Sequence, residues 1–82
     1  MRHVFASCAA ALVLWIVPAR ADDQATCAAG IAMIRAELDK KPPQATQAAL
    51  QKSLRSAERE LKEAEFDECA DAIEDAKKAL GR

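Results

Sequence analysis

Residues 64–69 read Ala64-Glu65-Phe66-Asp67-Glu68-Cys69, and two amphipathic patterns meet there out of phase. Upstream, Leu50, Leu54, Ala57, Leu61 and Ala64 recur at the alternating spacing of three and four that marks one helical face. Carried forward, that register selects Glu68, Asp71, Asp75 and Lys78, all charged. The apolar residues present are instead Phe66, Cys69, Ile73, Ala76 and Leu80, at the same spacing but displaced by two positions. Two residues turn a helix by about 200°, so a straight helix would hold one of its apolar stripes in water. The chain is therefore expected to reverse around Phe66, with Asp67 capping a third helix.

The cysteines give an independent reason for the reversal. Lys41-Pro42-Pro43-Gln44 breaks any helix, because Pro43 bars helical geometry at Pro42 and neither proline donates a backbone hydrogen bond. A hairpin pivoting there brings Cys27 opposite Glu58. On one unbroken second helix Cys69 would lie roughly 16 Å beyond that level, whereas a disulfide requires Cα atoms within about 7 Å. A reversal near Phe66 returns Cys69 to the level of Glu63, within reach of Cys27. The alternative is one helix from Gln44 to Leu80, with Phe66 and Cys69 on an intermolecular face.

Cysteine usage depends on how the N-terminus is read. Arg2 and His3 precede an uncharged, mostly apolar run from Val4 to Val17, and Ala19-Arg20-Ala21 forms a small-x-small site. This is the pattern of a secretory signal peptide, residues 1–21, cleaved before Asp22. The run is shorter than the roughly 20 apolar residues needed to span a bilayer, and Cys8 precedes most of it, against lipid attachment. Removing it reduces the 3 cysteines to Cys27 and Cys69, an even count that reads as one disulfide in an oxidising compartment. Closing so long a segment is expected to contribute roughly 4 kcal/mol by the chain-entropy argument, a large share of the stability of so small a domain.

The expected fold is all-α: a small three-helix up-down-up bundle, stapled by one disulfide, with residues 22–82 as a single domain and helices over about 23–40, 44–64 and 68–80. The first helix carries Cys27, Ile31, Ile34 and Leu38 on one face, widened by Ala28, Met33 and Ala36. Asp22 and Asp23 favour its start, Lys40 and Lys41 its end. Gly30 costs it about 1 kcal/mol relative to alanine and suits close packing. In the second, Glu58/Lys62 and Arg59/Glu63 are placed as i,i+4 ion pairs.

Composition excludes several functions. The full chain has a net charge of −1 and mixes both signs on its polar faces, so neither nucleic acid nor an anionic membrane surface is an expected partner. Export would remove the only histidine and the only tryptophan, and there is no tyrosine. The cysteines lack the Cys-x-x-Cys spacing of redox motifs, so Cys27 and Cys69 are read as structural. Glu63, Glu65, Asp67, Glu68 and Asp71 crowd carboxylates into residues 63–71. Their spacing matches no calcium loop, and no glycine makes the tight turn such a loop uses. The simpler reading places Asp67, Glu68 and Asp71 at the positive end of the third helix. Phosphate-binding glycine loops, nucleophile elbows and zinc-ligand sets are not found.

The segment Ala64 to Ala76, with Phe66, Cys69, Ile73 and Ala76, is similar to the second helix of a tetratricopeptide hairpin. Glu60 stands where that pattern wants a large apolar residue, and one unit lacks the repeats such arrays need; the resemblance implies shared packing geometry only. The function expected is that of a periplasmic or secreted accessory or protein-interaction module: not an enzyme, with no catalytic or metal-ligating residue, no cofactor, no stable membrane anchor after cleavage, and an unidentified protein partner. The alternative is a small-ligand or cation-binding protein using residues 63–71, with Arg59 and Lys62 nearby.

Overall fold

The computed structural model describes residues 18–82. It contains three helices, α1 (Pro18–Asp39), α2 (Gln44–Lys62) and α3 (Phe66–Ala79), and no strand among the described residues. Each helix packs against the other two, with the α2–α3 contact the most extensive. The break between α2 and α3 excludes the alternative of one helix from Gln44 to Leu80.

The core is built from the faces that the periodicity selects. Cys27, Ile31 and Ile34 enter from α1, Leu50 and Ala57 from α2, and Cys69, Ala72, Ile73 and Ala76 from α3. Met33, Leu38, Leu54, Leu61 and Leu80 are half-buried around it. Cys27 and Cys69 meet at disulfide distance, with Cα atoms 5.5 Å apart across a sequence separation of 42. One turn farther along both helices the backbones remain close: a Cβ placed on Gly30 would lie 2.6 Å from Cδ1 of Ile73. The glycine thus permits the α1–α3 approach that the cysteine pair anchors.

The helix ends follow one rule that the sequence shows only once. All three helices are followed by a residue in the left-handed region: Lys41 at φ 54, Ala64 at φ 59 and Gly81 at φ 78. After α2 the Glu65 amide donates to the Glu60 carbonyl at 2.8 Å, and the Ala64 amide to Leu61 at 3.1 Å. After α3 the Arg82 amide donates to Lys77 at 2.9 Å, and Gly81 to Lys78 at 3.0 Å. Both are Schellman closures, which satisfy carbonyls that a helix end leaves without partners. After α1 the Lys41 amide reaches Leu38 at 3.0 Å, and Pro42, having no N–H, cannot add the second bond.

These closures move the expected boundaries. The corner lies at residues 63–65 rather than at Phe66, because the left-handed residue is Ala64, which stands exposed instead of ending the apolar face of α2. Asp67 does not cap α3: the N-cap position is held by Glu65, without a side-chain capping bond, and Asp67 lies in the first turn beside Glu68. Phe66, expected to begin the core face of α3, is its first residue, half-buried and outside the core cluster. Helix α1 begins at Pro18, upstream of the expected start at Asp23, a proline being well accommodated in a first turn. Most of the expected signal peptide, residues 1–17, lies outside the described residues.

Candidate functional site

The carboxylate-rich corner is the one stretch that the sequence offers as a possible site, and the structure divides it. Glu63 and Glu65 belong to the turn, Asp67 and Glu68 open α3, and Asp71 lies on the next turn of α3. The Schellman bond from the Glu65 amide to the Glu60 carbonyl draws in a further glutamate from α2, so Glu60, Glu65 and Glu68 converge across the corner. The Glu68 carboxyl is pushed up to about 7, first by a hydrogen bond shared with the Glu60 carboxylate, then by the negative charges of Glu60 and Glu65. Two ionised carboxylates cannot share a hydrogen bond, so their proximity favours keeping a proton. Among the cations proposed to support a site here, Arg59 lies 3.6 Å from Glu60 and Lys62 is exposed.

Glu68 and Asp71 also line a groove of about 510 Å³ between α2 and α3, with Asp75 one turn farther on. Lys52, Ser53 and Ser56 face them from α2. Ser53, the one buried polar residue among the described residues, is absent from the sequence-based candidates. Its spacing of three from Leu50 and four from Ala57 places it on the buried face, which the sequence could have disclosed. Phe66 lines a second recess of about 360 Å³ with Asp23, Ala64, Glu65 and Asp67. Among the described residues no three His, Cys, Asp or Glu side chains are grouped so as to hold a metal ion.

No protein-family model, curated protein or solved structure matches this chain. Its chemistry must be read from its own residues. No described helix is long and apolar enough to cross a membrane.

The ion pairs expected within α2 are replaced by others. Glu58 accepts from Arg35 of α1 rather than from Lys62, and Arg59 lies against neighbouring Glu60 rather than Glu63. Glu37 accepts from Lys40 at 2.9 Å and from Arg82 at 3.4 Å. The hydrogen bond from Lys40 is the main reason that its carboxyl lies below the ordinary value, and the charges of Lys40 and Arg82 add to it. Glu37 therefore lies between Lys40 at the end of α1 and Arg82 following α3.

Proposed function

We propose that the protein is an exported, non-enzymatic helical module that acts through protein contacts in the periplasm or outside the cell. In this reading residues 1–21 are removed on export, and residues 22–82 form an up-down-up bundle closed by a Cys27–Cys69 disulfide.

One observation carries the proposal. Ala25, Ala29, Ala32 and Ala36 are exposed along α1, at the spacing of a single helical face, on the side opposite Cys27, Ile31 and Ile34. The corresponding outer surfaces of α2 and α3 carry charge, including Arg55, Arg59 and Lys62 on one and Asp67, Asp71 and Glu74 on the other. A strip without charge on the outer face of α1 supports a contact surface there, where the other two helices present solvated charge. Small side chains suit this role, because they let another backbone approach closely.

Site-specific photocrosslinking in the native host tests the reading. A crosslinker at Ala32 is expected to give an adduct of one defined mass, which the same crosslinker at Arg55 does not give. Recovery of only uncrosslinked monomer from the Ala32 position across growth conditions would overturn it.

A further inference from the structure

The groove between α1 and α3 differs from the other two recesses in charge. It is an open groove of about 330 Å³, lined by Thr26, Ala29, Gly30, Met33 and Ile73, and its only charged lining residues are Lys77 and Arg82. The α2–α3 groove sets Glu68, Asp71 and Asp75 against the single cation Lys52, and the recess at Phe66 is lined by Asp23, Glu65 and Asp67. On a chain of net charge −1, the basic one of these three recesses also has an apolar floor.

We propose that this groove binds a free, single-chain carboxylate amphiphile of the fatty-acid class. Arg82 and Lys77 take the head group, since a guanidinium presents a fork matched to a carboxylate and an ammonium adds a point charge. The chain lies over Ala29 and Gly30 and against Met33, whose unbranched, polarizable side chain adapts to an irregular apolar partner. Lys77 currently donates to Glu74 at 3.2 Å and Arg82 to Glu37 at 3.4 Å. The Lys77–Glu74 pair is on the surface, where such pairs are weak and exchange readily, and Glu37 keeps its shorter bond from Lys40 at 2.9 Å when Arg82 leaves, so the cations are available to a better acceptor. The volume lies at the lower end of the range for small-ligand sites, roughly 300–1,000 Å³, which fits one chain rather than a two-chain lipid. Ala29 is shared with the outer strip of α1, but the proposal does not require a protein partner there.

Sodium dodecanoate, kept below its micelle concentration and titrated into the purified ¹⁵N-labelled protein, is the direct test. Saturable shifts are expected at the amides of Gly30, Met33 and Lys77. Dodecyltrimethylammonium, with the same chain and the opposite head charge, is expected to bind at least about tenfold more weakly, as is dodecanoate to the Lys77→Glu/Arg82→Glu variant. The Lys77 and Arg82 side chains are 42% and 52% exposed, and far-UV circular dichroism checks that the variant folds. The comparison of the two head groups needs no variant. Non-saturating shifts up to about 1 mM, equal affinity for both head groups, or binding to phosphatidylglycerol vesicles without binding of dodecanoate would each overturn the proposal.

Discussion

Replacing Gly30 with alanine separates two physical effects of opposite sign. In an exposed helix the change stabilises by about 1 kcal/mol, because alanine loses less backbone freedom on folding. Here the new Cβ meets three side-chain atoms of Ile73, the farthest of them only 2.6 Å away. Ile73 is 1% exposed and β-branched, so its rotamer is stiff and its neighbours leave it little room. The helices cannot simply separate, because Cys27 and Cys69, one turn away, hold their Cα atoms 5.5 Å apart. Overpacking of this kind costs typically 1–3 kcal/mol, and after subtracting the propensity gain of about 1 kcal/mol a net loss of about 0–2 kcal/mol is expected for Gly30→Ala. Urea unfolding followed by far-UV circular dichroism measures it. The stringent form is a double-mutant cycle with Ile73→Val, which alone costs about 0.5–1.5 kcal/mol but is expected to cost less, or to stabilise, in the Gly30→Ala background. A Gly30→Ala protein more stable than its parent, or additive effects in the double variant, would refute close approach as the reason for the glycine.

Three further outcomes follow from the same geometry. Ala64→Gly relieves a left-handed residue at φ 59 and is expected to stabilise by about 0.5–1 kcal/mol; an unchanged or lower urea midpoint would count against the corner described. Cys27→Ala/Cys69→Ala, which removes a closure of sequence separation 42, is expected to cost roughly 4 kcal/mol, and a midpoint close to that of the oxidised parent would refute an intramolecular bridge. The Glu68 carboxyl is pushed up to about 7 in the folded chain from 4.5 ordinarily, so the fold binds a proton that the unfolded chain releases. Its contribution to stability is fully present below 4.5 and is lost as pH rises through 7. Glu37 acts oppositely: its lowered value contributes stability above the ordinary carboxylate range that is lost as pH falls through the lowered value. The urea midpoint is thus expected to rise between about pH 8 and about pH 5, and Glu68→Gln to flatten that rise; an equal slope in the variant would show that the proton is held elsewhere.

The phase shift between Leu61 and Cys69 made the helix count and the core faces legible, since periodicity is local and charged residues fill the rejected register. The cysteine pair was legible because chain reach limits where a disulfide can close. The helix ends were less so. Only Gly81 is the residue usual after a helix, while Lys41 and Ala64 take the same left-handed backbone without an obvious marker. Phe66 has the right spacing to Cys69 for a core residue, yet it opens α3 and remains only half-buried. Glu60 joins the acidic corner through a hydrogen bond of the turn itself, which no spacing rule within α2 anticipates. Ion pairs failed for a similar reason: Arg35 comes from another helix, and its approach to Glu58 is a property of packing.

Joining Cys27 to Cys69 makes a covalent ring that contains all of α2 and both turns. Exposed Lys40 and Lys62 sit at those turns, where trypsin-like proteases cut most easily. A single cut inside the ring opens the backbone but releases no fragment, and the pieces remain packed on a shared core. Release of a fragment then requires a second cut or a reductant, so the two pieces of a singly nicked molecule would stay joined until reduced.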